Sequence, residues 1–406
     1  MIPSININKF ISQSITRRQV SLLSEDLNAF KTELKERIDN KSVLVIGGAG
    51  TIGSSYIKEI LRFEIKELYV FDLNENGLTE LVRDLRSSVD VNLPETILTY
   101  PIDFGSPIAE KIFENHGAFD IVANFAAHKH VRSEKDVFSI EAMIENNLLK
   151  NKKLLDLLEK HPPEHFFCVS TDKAANPVNI MGASKKLLED LILSYSDRIK
   201  VSTARFANVA FSNGSLPLGF LERLGKNQPW SCPLNIKRFF VSPKEAGEIC
   251  LFASVMGNTG DIFFPKLDPE TDMVEFSKIA LDLINYLGLK PDICKSEAEA
   301  RLKAAGLKIS DESYPVFFFE SDTSGEKPFE EFFTPFEDLD LTSFKNIGRI
   351  RMKERPKINE VNPMLDNLMS LFKNGQTTKA DVVEMLGKYI CNFEHIEKGK
   401  NLDQRM

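Results

Sequence analysis

Residues 41–55 read KSVLVIGGAGTIGSS. Residues 42–46 make a short apolar strand, glycines follow at once, and residues 51–63 carry helical apolar spacing. Gly47, Gly50 and Gly53 therefore fall between a strand and a helix. The first permits the tight turn, and the second lets backbone approach a pyrophosphate. The third lets helix and strand pack closely, with the helix N-terminus facing the phosphates. Thr51 and Ile52 belong to the same expected cradle. A glycine triplet alone is weak; its strand–turn–helix context and an acidic residue at the expected distance, Asp72, make it specific. A carboxylate there accepts hydrogen bonds from ribose hydroxyls and repels a 2′-phosphate. Leu73, Asn74 and Glu75 offer no arginine to bind one, so NAD is expected in preference to NADP.

Outward from this turn, strand and helix alternate. Strands are expected at 67–71, 97–102, 120–126, 166–169 and 201–206, and helices at 76–87, 137–158 and about 181–194. This order predicts an α/β fold, a doubly wound parallel sheet of the Rossmann type. Asp103, after the third strand, is placed for an adenine edge. Ala126 and Ala127 end the fourth strand with small side chains that let a cofactor lie close. Beyond Asn208 the alternation weakens. Helices are expected at 218–224, 243–255 and 274–287, residues 290–307 are helix-prone, and 316–319 is a strand candidate. The predicted organisation is an N-terminal helical extension (1–40), an NAD-binding domain (41–210), a smaller substrate region interleaved with it (211–360) and a helical tail (361–406). The extension is read as lying on the domain or on a neighbouring subunit.

The 406 residues are 42% hydrophobic, ordinary for a chain with a sizeable core, and the net charge is −8. That charge gives no support for a nucleic-acid or anionic-membrane partner. No apolar run is long enough to span a bilayer, and the first residues lack the apolar core of a secretory signal. The five cysteines (Cys168, Cys232, Cys250, Cys294, Cys391) are scattered, with no CxxC pair, so no metal site or disulfide framework is expected. A cytoplasmic protein is the expectation.

Residues 166–186, FFCVSTDKAANPVNIMGASKK, hold the candidate chemistry. An apolar strand runs into Thr171, Asp172 and Lys173, and a following helix carries Met181 and Lys185. By itself an Asp–Lys pair reads as a solvated surface turn. At the end of a buried strand facing a cofactor it reads as an acid and a base.

The ordered motifs GGAGTIGS, NFAAHKHV, STDKAANPVNIMGASK, RFANVAFSNGS and RFFVSPKEA resemble the extended short-chain dehydrogenase/reductases, in particular their CapD-like polysaccharide-biosynthesis branch. The resemblance is close over residues 41–251 and patchy beyond, where residues 322–333 are similar to the family's RPGEKLYEEL segment. It implies a nucleotide-sugar 4,6-dehydratase, most often acting on UDP-N-acetylglucosamine, with a tightly bound, recycled NAD. A homo-oligomer is also expected.

The resemblance further implies roles. Asp172 is the acid for the departing water and Lys173 the base at C5, with burial expected to raise the first pKa and lower the second. Lys185 bonds the nicotinamide ribose. Thr171 faces the sugar's O4. Met181 stands where most relatives carry tyrosine and has no proton to exchange. The acceptor of the O4 proton is therefore open among Asp172, Thr171 with a water, and Lys185. Lys129 and His130 are expected to line the sugar pocket, with His128 facing elsewhere. Asn208, Ser215 and Arg238 match positions that hold the nucleotide diphosphate and base; Arg238 reads equally as a surface charge beside Phe239 and Phe240. Where relatives carry arginine before Pro-Gly-Glu-Lys, this chain has Thr323, then Ser324, Gly325, Glu326 and Lys327.

Overall fold

In chain order the strands are β1 (Ser42–Ile46), β2 (Glu67–Phe71), β3 (Thr96–Tyr100), β4 (Ile121–Asn124), β5 (His165–Val169), β6 (Val201–Ala204), β7 (Asn208–Val209) and β8 (Trp230–Leu234). There follow β9 (Lys237–Val241), β10 (Asp261–Pro265), β11 (Met273–Glu275), β12 (Lys290–Cys294), β13 (Ser313–Glu320), β14 (Leu339–Asp340) and β15 (Ile347–Arg351). They belong to a computed structural model that describes residues 6–308, 310–320, 327, 329–352, 354–373 and 375–397.

The main sheet has the order β14-β15-β10-β6-β5-β4-β1-β2-β3. From β10 to β3 every pairing is parallel; β15 and β14 add an antiparallel edge. Strand β1 shows why both faces are covered. Val43 and Val45 enter one core and Leu44 and Ile46 the other, as a two-residue repeat with apolar side chains throughout requires. One face is closed by helices including Thr51–Ile60 and Pro243–Met256, and the other by Lys150–Lys160 and Ile180–Leu193. The tail helices Ile358–Lys373 and Lys379–Tyr389 bury Leu365, Leu368 and Leu386 in that second core.

Two small sheets, β11-β9-β7 and β12-β13-β8, flank a third core around Phe220, Trp230 and Leu283. The N-terminal extension joins the cores within this chain: Phe10, Ile11 and Ile15 enter the third, whereas Leu23, Leu34 and Ile38 enter the first. Arg18 fixes the crossing, donating to both carboxylate oxygens of Glu245 at 2.8 and 3.0 Å and to Phe240 O at 3.0 Å.

The structure corrects the sequence reading in several places. Residues 290–294, expected to be helix-prone, form β12, because β13 pairs with them in parallel; helix starts only at Glu297–Ala305. Residues 273–275 are strand and the helix follows as Phe276–Tyr286. The expected 137–158 helix carries a π-helical turn, Glu145–Leu149, that buries Asn146 and Asn147. Helix Pro107–His116, between β3 and β4, was not expected, although Ser106 caps it ahead of Pro107.

Candidate active site

The carboxyl ends of β1 and β4 border a cleft of about 290 Å³. It lies where the chain turns from one half of the sheet to the other, as ligand crevices do in open α/β sheets. Its wall holds Gly47, Gly50, Thr51, Ile52, Gly53, Asp72, Asp103, Ala126, Ala127 and Lys129. Gly47 has φ +76°, and a Cβ there would stand 2.6 Å from Ala126 N. At Gly53 a Cβ would stand 2.3 Å from Gly47 O, so helix and turn touch backbone to backbone. Helix Thr51–Ile60 starts from Gly50 without a side-chain cap. Its first N–H groups, lacking helical acceptors, suit an anion.

Asp72 also braces the turn: Oδ2 accepts from Ala49 N and Oδ1 from Asn74 N, each at 2.9 Å. Asp103 lines the cleft while accepting from Gly105 N at 2.8 Å and pairing with Lys150. His128 also lines this cleft. Asn147 holds it there, accepting from His128 N and donating to His128 O, both at 2.9 Å, and donating also to Ser184 Oγ at 3.1 Å. A buried asparagine in a π-turn thus ties this loop to helix Ile180–Leu193, a link that sequence reading missed. Burial lowers the pKa values of His128, Lys129 and His130. The His130 ring rests on Gly214, where a Cβ would meet its Cε1 at 2.8 Å.

At the end of β5 the chain enters a short 3-10 turn, Asp172–Ala174. Asp172 is 4% exposed, and its Oδ1 accepts from Thr171 Oγ1 at 2.8 Å and from Lys173 Nζ at 3.0 Å. Lys185, buried one turn into helix Ile180–Leu193, donates from Nζ to Val169 O at 2.7 Å; burial lowers its pKa. Met181 is buried in the first turn of that helix, its N–H donating to Glu134 Oε1 at 3.1 Å. Strand ending and helix opening thus bring Thr171, Asp172, Lys173, Met181 and Lys185 to one corner of the sheet.

Lys173 departs from expectation. Burial does oppose its charge, but Asp172 and Glu330 outweigh it, and its pKa is raised rather than lowered. Glu330, which sequence reading assigned no role, is 4% exposed with Oε1 3.8 Å from Lys173 Nζ. Arg238 lies close enough for its charge to act on both. Arg238 is 5% exposed, which rules out the surface reading. It stands on β9, whose partner β7 carries Asn208, while Ser215 caps helix Leu216–Gly225. Thr323, Ser324, Gly325 and Glu326 lie outside the described residues.

The turn after Lys173 is gripped from two distant segments. Asn392 Nδ2 donates to Ala175 O at 3.0 Å and Ile396 N to Val178 O at 2.9 Å. Lys327 donates to Asn176 O at 2.5 Å, and Asn176 Nδ2 donates to Glu331 at 2.9 Å.

This sheet and glycine turn make a doubly wound, Rossmann-type α/β fold. The family described as "Polysaccharide biosynthesis protein" matches residues 43–338. The chain belongs to that family, in its CapD-like branch.

Among curated relatives, an uncharacterized membrane protein of Methanocaldococcus jannaschii, MJ1061, is 29% identical over 73% of this chain and 86% of its own length. Bacillus subtilis EpsC, a probable polysaccharide biosynthesis protein, is 28% identical over 63% of this chain but only 42% of itself, so this chain spans less than half of that relative. A UDP-glucose 4-epimerase of Rickettsia rickettsii is 28% identical over 61% of this chain and 72% of its own. Among solved structures, Pen from Bacillus thuringiensis superposes with a TM-score of 0.63 at 22% identity, over 82% of this chain and 98% of its own. The dTDP-glucose 4,6-dehydratase DesIV of Streptomyces venezuelae, solved with NAD and TYD bound, gives 0.51 at 18% identity, over 71% and 87%. These likenesses concern the fold. Among the described residues no helix is long and apolar enough to cross a membrane.

Proposed function

We propose that this protein is an NAD-dependent nucleotide-sugar 4,6-dehydratase, with UDP-N-acetylglucosamine the first substrate to try. The observation that carries the reading is the Asp172–Lys173 pair, Asp172 buried and Lys173 partly so, hydrogen-bonded at 3.0 Å at the end of β5, next to β4, whose end borders the dinucleotide cleft. Hydro-lyase chemistry at C5 and C6 needs an acid and a base side by side.

Bound NAD supplies oxidation at C4 and reduction at C6, so that it is regenerated in each turnover. The residues at hand fit it: the open helix N-terminus at Gly50 for the pyrophosphate, Asp72 for the adenosine ribose, and Ala126 and Ala127 for close approach. Asp72 supports NAD over NADP by charge. Lys185, whose Nζ now donates to Val169 O, would donate to the nicotinamide ribose and favour negative charge on O4. Oxidation at C4 acidifies the C5 proton. Lys173, in its neutral form, removes it; Asp172, protonated, gives its proton to the C6 oxygen as the C–O bond breaks and water leaves. Arg238, Asn208 and Ser215 would hold the nucleotide diphosphate and base, an arginine fork suiting two phosphates. Lys129 and His130 would border the sugar.

Simple epimerisation at C4 requires no acid–base pair at C5 and C6, so Asp172 and Lys173 favour dehydration over it. A non-catalytic NAD-binding scaffold would suit Met181 but leaves the buried Asp172 and Lys185, and the Lys173 paired with Asp172, without a use. The test is incubation with UDP-, GDP- and CMP-linked hexoses and NMR of the products. Loss of the C6 hydroxyl supports dehydration; no turnover of any sugar, in protein that binds NAD, supports the scaffold. Lys173→Ala should abolish dehydration and leave NAD binding intact.

A further inference from the structure

Glu330 lies far along the chain from the acid–base pair yet faces it. Its side chain is buried, and Oε1 is 3.8 Å from Lys173 Nζ. The segment that delivers it is anchored on both sides. Before it, Lys327 donates to Asn176 O, and beside it Glu331 accepts from Asn176. After it, Arg205 donates to Phe332 O at 2.9 Å and to Glu337 at 2.8 and 2.9 Å, while also gripping Glu189 on the helix that carries Lys185. A carboxylate is expensive to bury, and a segment this firmly held would more readily place an apolar side chain there. Two carboxylates thus share one ammonium. The other charges acting on Glu330 are Asp172, Arg238 on β9 and Lys327 on its own segment.

We propose that Glu330 is a positioning residue for the base: it holds Lys173 as an ammonium against Asp172 in the resting site, so that one proton transfer arms both partners. This rests on the dehydratase reading above. In that transfer an N–H bond of Lys173 breaks and an O–H bond forms on Asp172 Oδ1, along the existing hydrogen bond. Asp172 becomes the acid and Lys173 the neutral base at once. Elimination then reverses the charges: Lys173 gains the C5 proton, Asp172 loses its own to the departing water, and the resting ion pair is restored. The elimination step itself draws no proton from solvent; when hydride then adds at C6, Lys173 gives a proton back to C5, and the proton released from O4 in the first oxidation balances it. The raised pKa of Lys173, where burial is outweighed by Asp172 and Glu330, is what such a resting state requires. Burial, with Asp172 adding to it, raises the pKa of Glu330 itself.

The test compares wild type with Glu330→Gln, which keeps the shape, and Glu330→Asp, which keeps the charge. The pH dependence of acylation of Lys173, mapped by peptide mass spectrometry, reads its titration without turnover. The pH profile of dehydration reads its use. In Glu330→Gln both the labelling curve and the falling limb of the profile, where Lys173 loses its proton to solvent, should move about one pH unit or more toward acid, the size expected for losing an opposite charge at this range. Glu330→Asp should move them less. Unshifted curves in Glu330→Gln, or a rate lowered equally at every pH, overturn the proposal; the second result marks Glu330 as purely structural. A wild type that does not dehydrate any sugar sinks the functional reading instead, and the labelling shift still decides whether Glu330 governs Lys173.

Discussion

Arg205 Nη2 lies 2.8 Å from Glu189 Oε2, with side-chain exposures of 1% and 0%. Burial opposes the carboxylate, but Arg205 outweighs it and lowers the pKa of Glu189, to which Ser170 also donates at 2.6 Å. The pair ties the end of β5, the helix bearing Lys185 and the 332–337 segment at one point. Arg205→Ala leaves Glu189 buried and unpaired, a loss of about 3–5 kcal/mol. Urea unfolding should show the lower midpoint, and hydrogen exchange should show residues 329–337 loosening first.

Gly53→Ala forces the new Cβ to within 2.3 Å of Gly47 O and 2.9 Å of Gly48 Cα, both backbone. The glycine turn must shift, at a cost of roughly 1–3 kcal/mol. Calorimetric titration should show NAD binding at least about tenfold weaker, equivalent to about 1.4 kcal/mol. Gly50→Ala meets only Gly47 O, at 3.4 Å, and should leave the melting temperature near that of wild type.

Asp72→Asn removes the negative charge that braces Ala49 N and that, in the proposed function, would meet the ribose. Hydrogen bonds to a charged group are worth about 1.5–3 kcal/mol. Binding of NAD should weaken by roughly tenfold or more, and the preference for NAD over NADP should shrink. Parallel titrations with both cofactors measure this; an unchanged preference would remove Asp72 from that role.

Glu248 gives stability a pH dependence. Burial, with Glu59 and Glu245 nearby, pushes its pKa up to about 7, against the opposing effects of the Ser21 hydroxyl and Lys244. The folded state therefore holds a proton that the unfolded chain releases near its ordinary value. Stability is highest below that ordinary value and falls as pH rises through about 7, by up to on the order of 3 kcal/mol. Glu248→Gln should flatten this decline between about pH 5 and 8 and raise the melting temperature at the upper end.

The six parallel strands from β1 to β6 were legible because each is a short apolar run closed by glycine, polar residues or a helix start. The glycine turn and Asp72 were legible for the same local reason. Of the remaining strands, β13 was legible in part, from the apolar run 316–319, and the others were not. Residues 230–241 read WSCPLNIKRFFV, with a proline and charges inside, and become β8 and β9 only through distant partners, β13 and β11. β12 is too charged to read as a strand without its partner. At the site, Asp172, Lys173 and Lys185 were visible as neighbours in sequence, whereas Asn147, Glu330 and the tail contacts at Asn392 and Ile396 act across the fold and leave no local pattern. The direction of the Lys173 shift was misjudged because the second carboxylate comes from one of those distant segments.

The central claim, internal redox with water loss, is tested most directly by following a deuterium placed at C4 of UDP-N-acetylglucosamine. The expected product is a 4-keto-6-deoxy sugar with that deuterium at C6 of the same molecule. Deuterium recovered at C4, with the C6 hydroxyl retained and the C4 configuration inverted, would contradict dehydration and make the protein an epimerase.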